Sequence, residues 1–185
     1  MPRRTMPLVL ATMAVIGLAA ASPAVAKSDH KTVVISDDCE PVTFNAAVGP
    51  GTCVGNGRTT FAEFRATLLA LIPPQRWNFS RDDFGLDAGG RIDVVSRGGE
   101  FHTFTHVGKF GNGCSPLNNG DAVATDPDTG VSFDCATFDF RGGVLPGESI
   151  TVGGLQPGTA LFQCMIHPWM RSVVDVRASN RGGQG

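Results

Sequence analysis

Cys164-Met165-Ile166-His167-Pro168-Trp169-Met170 is the stretch from which the rest of the chain is read. A thiol, an imidazole and a thioether recur in it at every third residue. Thiolate and thioether are soft donors that suit copper, and imidazole accepts copper in either oxidation state. A trigonal set of two imidazoles and one thiolate, with a weak axial thioether, holds copper for one-electron chemistry. The stretch supplies three of those four donors, so a second histidine has to come from elsewhere. Phe101-His102-Thr103-Phe104-Thr105-His106-Val107 offers two candidates.

Period-2 alternation puts His102, Phe104 and His106 on one face of a strand. Residues two apart in a strand are ~6.6 Å from each other, so His102 and His106 stand roughly 13 Å apart if the strand is straight. Both cannot hold one ion. His102 lies beside the Gly98-Gly99 turn, where a ligand faces a loop, and it is the expected first ligand. His106 is expected to be a partly buried or loop histidine.

Outward from these segments the chain reads as short strands joined by turns, with 24 Gly and 12 Pro. Strands are expected at Thr32–Ser36, at Arg91–Ser96, across 101–107, at Ala136–Arg141, at Glu148–Val152, at Gly158–Gln163 and at Ser172–Arg177. Further strand segments are read near Val42-Thr43-Phe44, Trp77-Asn78-Phe79 and Phe84-Gly85-Leu86. The Cys164 stretch is therefore a loop between the last two strands. Thr60-Phe61-Ala62-Glu63 is a capping box, in which hydroxyl and carboxylate satisfy each other's backbone N–H groups. Phe61, Phe64, Leu68, Leu71 and Ile72 follow at helical spacing, so one helix is expected over residues 60–72, stopped by Pro73-Pro74. Residues 108–135 form a Gly- and Asn-rich insertion, long for a compact domain. Asp126-Pro127-Asp128-Thr129-Gly130 within it is a turn; a calcium loop would need a carboxylate where Thr137 stands.

The first 26 residues read as an export signal: Arg3 and Arg4, an uncharged apolar run from Leu8 to Ala21, and Ala24-Val25-Ala26 as the cleavage site. Cleavage leaves 159 residues, read as a single domain over 27–178 with a flexible tail at 179–185. The formal net charge of −2 becomes −4 once Arg3 and Arg4 are lost, which gives no basis for nucleic-acid binding. Stable membrane insertion is not expected, since no later segment is apolar enough to span a bilayer. The five cysteines fit an oxidising compartment. Four cysteines admit three connectivities, which sequence alone does not separate; the local pairs Cys39–Cys53 and Cys114–Cys135 are expected. They leave Cys164 unpaired inside the donor motif.

Two segments, Gly98-Gly99-Glu100-Phe101-His102-Thr103 and Cys164-Met165-Ile166-His167-Pro168-Trp169-Met170-Arg171, resemble the cupredoxins, the small blue type 1 copper proteins. The short Cys-x-x-His-Pro-x-Met loop is similar to the amicyanin type within that family, and the plastocyanins share its general form. The resemblance covers roughly residues 76–178. It implies an all-β, Greek-key β-sandwich carrying the 60–72 helix and the long loop as additions. It implies one copper per chain, cycling between Cu+ and Cu2+, with His102, Cys164 and His167 as equatorial ligands and Met170 axial. His167 is then a partly exposed ligand, and an apolar patch around His167 and Trp169 docks protein redox partners. A monomeric, exported (periplasmic or secreted) electron shuttle without enzymatic activity is the function implied.

One position departs from the family pattern. Cupredoxins often carry Asn after the first histidine, hydrogen-bonded to the cysteine-bearing loop, and this chain has Thr103. A copper chaperone or storage protein of the same fold is the alternative function. Such proteins present Met- or His-rich exposed sites, whereas only Met165 and Met170 remain after signal removal. A multicopper oxidase domain would need His-x-His pairs, which are absent, and a binuclear copper loop would need a second cysteine. Zinc tolerates a His₂Cys set, but the Met ligand disfavours it.

Overall fold

The computed structural model describes residues 29–114, 123–135 and 141–178. The expected export signal, the 179–185 tail and most of the strand read at 136–141 lie outside the described residues. Along the described chain run β1 (His30–Ser36), α1 (Pro41–Val48), α2 (Phe61–Leu69), β2 (Asn78–Phe79), β3 (Asp83–Asp87) and β4 (Arg91–Ser96). There follow β5 (His102–Thr103), β6 (Thr105–Val107), β7 (Gly143–Val144), β8 (Ser149–Gly153), β9 (Gly158–Gln163) and β10 (Arg171–Arg177).

Alternating sequences become strands because each buries one face. In β10, Ser172, Val174 and Val176 point inward and the residues between them face out or half out. One sheet has the order β2-β1-β4-β8 and a second the order β3-β10-β9-β6; β5 and β7 form a short ribbon beside them. β1 runs parallel to β4, with Val33 opposite Val94, and β10 runs parallel to β3; the other pairings are antiparallel. The sheets close on one core, to which the first contributes Val33, Ile35, Ile92 and Val94 and the second Phe84, Leu86, Phe162 and Val174. Phe104 joins the two halves: its ring stacks on Phe162 at 4.3 Å and meets Phe79 edge-on at 5.1 Å. The fold is an all-β sandwich with two short helices.

The helical part differs from the sequence expectation in two ways. Val42-Thr43-Phe44, read as a strand, lies in α1. Glu40 caps that helix, its carboxylate accepting from the N–H groups of Val42 and Thr43, and Pro41 sits in the first turn, where a missing N–H costs nothing. In α2 the capping box at Thr60 and Glu63 is formed, but the helix stops at Leu69, before the two prolines. Leu71 then takes a left-handed backbone (φ 57°). The strand read across 101–107 is broken at Phe104 into β5 and β6, which pair with different partners.

Two disulfides tie the additions down. Cys39–Cys53 links the start of α1 to the loop after it, and Cys114–Cys135 closes the long insertion. Among the described residues Cys164 is the one free cysteine, and it is buried. No helix among them is long and apolar enough to cross a membrane.

Candidate metal centre

β9 ends at Gln163 and β10 begins at Arg171, two residues that pair across the antiparallel ladder. The seven residues between them must close a tight loop. They do so with a backbone bond from the Cys164 N–H to the Met170 carbonyl (3.0 Å) and another from the Met170 N–H to the His167 carbonyl (2.9 Å). The Thr103 hydroxyl accepts from the Met165 N–H at 2.9 Å, and the Thr103 N–H points at Cys164 Sγ, 3.5 Å away. Thr103 thus ties β5 to the loop by a side-chain bond, as the Asn expected from the resemblance would.

The break at Phe104 decides which histidine faces this loop. Phe104 turns into the core between the sheets, so His102 and His106 no longer share a straight strand. His102 is fully buried against Cys164. His106 is exposed on the outer side of β6, with its ring stacked 5.1 Å from that of Phe162. His102 Nδ1 lies 3.8 Å from Cys164 Sγ, His167 Nδ1 lies 3.9 Å from the same sulfur, and the two Nδ1 atoms are 3.2 Å apart. A circle through those three atoms has a radius of about 2.1 Å, against metal–imidazole and metal–thiolate bonds of roughly 2.0–2.1 and 2.3 Å. The three donors are therefore spaced so that a single ion could be held by all of them. Met170, 1 % exposed, lies in the same buried cluster as Cys164.

The outer nitrogens of both imidazoles face carboxylates. His102 Nε2 is 2.9 Å from Asp37 Oδ2, and the Asp37 side chain is 1 % exposed. Burial pushes the Asp37 carboxyl up, but the bonds from His102 and from the Gly99 and Glu100 N–H groups outweigh it and hold it down at about 2. Burial likewise opposes the charge on His102, yet Asp37 and Cys164 raise it to about 9. The Cys164 thiol is pushed up by burial and pulled well below its ordinary range by the two imidazoles, which favours a thiolate. Glu100 Oε2 lies 3.8 Å from His167 Nε2 and accepts from the indole N–H of Trp77; burial raises its carboxyl above the usual range.

The two helices cover this face. Phe64 of α2 meets the His167 ring edge-on at 6.2 Å and packs on Trp77 (4.7 Å) and Phe44 of α1 (5.4 Å). Trp169 closes the other side, 5.4 Å from His167. His167 is only 5 % exposed, which corrects the expectation of a partly exposed ligand. Phe64 belongs to the same buried core as Cys164 and Met170 and at the same time roofs His167. Beyond the roof an open groove of about 800 Å³ runs past Leu68, Leu71, Ile72, Pro168 and Trp169. Leu71 is 91 % exposed and Ile72 56 %.

Asp37 and Glu100 have no counterpart in the sequence reading. Glu100 stands two residues from His102 and was open to recognition as its neighbour. Asp37 is 65 residues away, and only the β1–β4 pairing brings the end of β1 beneath His102.

No protein-family model matches the chain, and none of the curated proteins does. Among solved structures it resembles a purple cupredoxin from Nitrosopumilus maritimus, with 10% sequence identity, 79% of this chain and 98% of that one covered, and a TM-score of 0.41. It also resembles amicyanin variants. One in the Cu(I) form is 14% identical, covering 54% of this chain and 73% of that one at a TM-score of 0.32. An oxidized variant is 13% identical over the same shares, at 0.35.

Proposed function

We propose that the chain is an exported, cupredoxin-like protein that binds one copper ion and carries single electrons between protein partners. The observation that carries this reading is the trio of His102 Nδ1, His167 Nδ1 and Cys164 Sγ, all buried and spaced for one ion. His102, Cys164 and His167 would hold the ion, with Met170 as a fourth donor beside them. Two nitrogens, a thiolate and a thioether favour copper over harder ions. Copper, when bound, supplies the one-electron couple.

The chain's own residues supply rigidity and exclusion. β5 and the backbone-closed loop keep the donors at fixed separations. Phe64 and Trp169 pack against His167 and keep water away from it. Met170 as a fourth donor would leave no coordination position open, so the reading is of a carrier and not of an enzyme. The two disulfides and the signal-like start support export to an oxidising compartment.

In this reading, redox partners dock on the groove edged by Leu71, Ile72, Pro168 and Trp169. The charged residues lining it are Arg65 and Arg171, and neither pairs with a carboxylate among the described residues. A partner face carrying carboxylates around an apolar centre complements it. Small, weak interfaces are usual for such encounters.

The test is a visible absorption spectrum of the purified protein with added Cu(II), then with ascorbate. An intense thiolate-to-copper charge-transfer band that bleaches on reduction supports the carrier. Copper bound in stoichiometric amount without that band overturns it in favour of a chaperone or storage role.

A further inference from the structure

Four hydrogen bonds converge on the Asp37 carboxylate. Oδ1 accepts from the N–H groups of Cys39 (3.2 Å) and Gly99 (2.9 Å). Oδ2 accepts from the Glu100 N–H (3.0 Å) and faces His102 Nε2 (2.9 Å). The surroundings are shaped to admit this group. A Cβ on Gly98 would stand 1.8 Å from Asp37 Oδ2, and one on Gly99 would stand 2.8 Å from the Cys39 sulfur and 2.5 Å from the Gly55 nitrogen. Gly98-Gly99 is therefore more than a turn: it is the gap through which the end of β1 reaches the back of His102. The Cys39–Cys53 disulfide anchors that segment two residues further on.

We infer that Asp37 is a positioning residue that fixes His102 with Nδ1 turned toward Cys164 and, through its buried charge, sets the reduction potential of the site below the value a neutral partner would give. This deepens the copper reading above and rests on it. A carboxylate accepting the Nε2–H of a ligating imidazole fixes the tautomer and makes Nδ1 a stronger donor. A stronger donor, together with a nearby negative charge, favours the dipositive over the monopositive ion. The segment 30–57 is thus part of the electron-transfer apparatus and not only a cover for a sheet edge.

The test is Asp37→Asn in the full mature protein, with Asp38→Asn as control. Asp38 bonds to Thr59 and Arg76 and has no contact with the donors. Reduction potentials are read by redox titration, and Cu(II) and Cu(I) affinities by competition with chelators. In Asp37→Asn the charge-transfer band persists and Cu(II) affinity falls by about 10–100-fold, the usual cost of losing such an outer partner. Cu(I) affinity falls less. Each tenfold difference between the two losses raises the potential by about 59 mV. The Asp38 variant keeps the wild-type potential.

An unchanged or lowered potential in a blue Asp37→Asn protein overturns the inference and leaves the copper reading standing. A wild type that stays colourless with added Cu(II) overturns the electron-carrier reading on which the inference rests. If Asp37→Asn does not fold, Asp37→Ser, a smaller uncharged acceptor, is held to the same expectation. A second copper whose binding is lost in both Asp37→Asn and Glu100→Gln would also overturn it, since His102 Nε2 would then be a ligand in the Asp37, Glu100 and His102 cluster and not a donor to Asp37.

Discussion

Replacing Phe64 by Ala tests whether the helical segment seals the donor cluster. Phe64 is 5 % exposed and touches the rings of Phe44, Trp77, Trp169 and His167. Removing a buried phenyl ring costs about 3–5 kcal/mol, the spread reflecting how far the site can collapse. The lower part of that range applies here, because α2 is short and carries one fully buried side chain. At about 2–4 °C per kcal/mol for a domain of this size, a cost of about 3–4 kcal/mol should lower the melting temperature by roughly 6–16 °C. The specific consequence concerns His167. In the metal-free wild type, a histidine acylating reagent read out by mass spectrometry should modify exposed His30 and His106 quickly and His167 slowly. In Phe64→Ala, His167 should become reactive while His102, covered from the other side, stays protected. If His167 reacts as fast as His106 in the wild type, the roof is not closed and the reasoning fails.

Three further outcomes follow from the same geometry. Cys164→Ser should abolish the charge-transfer band while leaving far-UV circular dichroism largely unchanged; a retained band would remove the thiolate from the ligand set. His102→Ala should lose the colour and His106→Ala should keep it, and the reverse pattern would exchange their roles. In the metal-free protein, Asp37 is held at about 2 against an ordinary 3.8, so its stabilising charge is fully present above about pH 4 and disappears as pH falls through 2. The stability gap between wild type and Asp37→Asn in denaturant melts should therefore be roughly 2 kcal/mol near pH 5 and close toward pH 2. It should also narrow above neutrality as His102, held up to about 9, loses its proton; a gap independent of pH would deny the ion pair.

Much of the sandwich was legible because alternation is a local signal. The single-strand readings of β1, β4, β8, β9 and β10 coincide with observed strands to within a residue or two. Cys164, His167 and Met170 were visible together because one short loop carries them. What escaped depended on longer-range packing or on competing local signals. Val42-Thr43-Phe44 has strand-like composition, but the Glu40 cap and Pro41 turn it into helix. The straight-strand argument for 101–107 separated His102 from His106 but missed the bend, which exists because Phe104 is drawn into the core. Asp37 drew no reading because its partner His102 is 65 residues away, and the burial of His167 arises only when the helical segment folds back over the loop. For α1 the deciding residues are neighbours in sequence; for the bend, for Asp37 and for His167 the deciding partner is distant.

The unpaired thiol has a consequence for how the chain matures. Cys164 is the last of five cysteines from the amino terminus, and the two disulfides enclose separations of only 14 and 21 residues. Short loops close with less loss of chain entropy than long ones. As the chain emerges from its amino terminus, both partner pairs are complete before the fifth cysteine follows. The order of the cysteines along the chain thus shields the odd sulfur from scrambling, until β9 and β10 zip together and withdraw it from solvent.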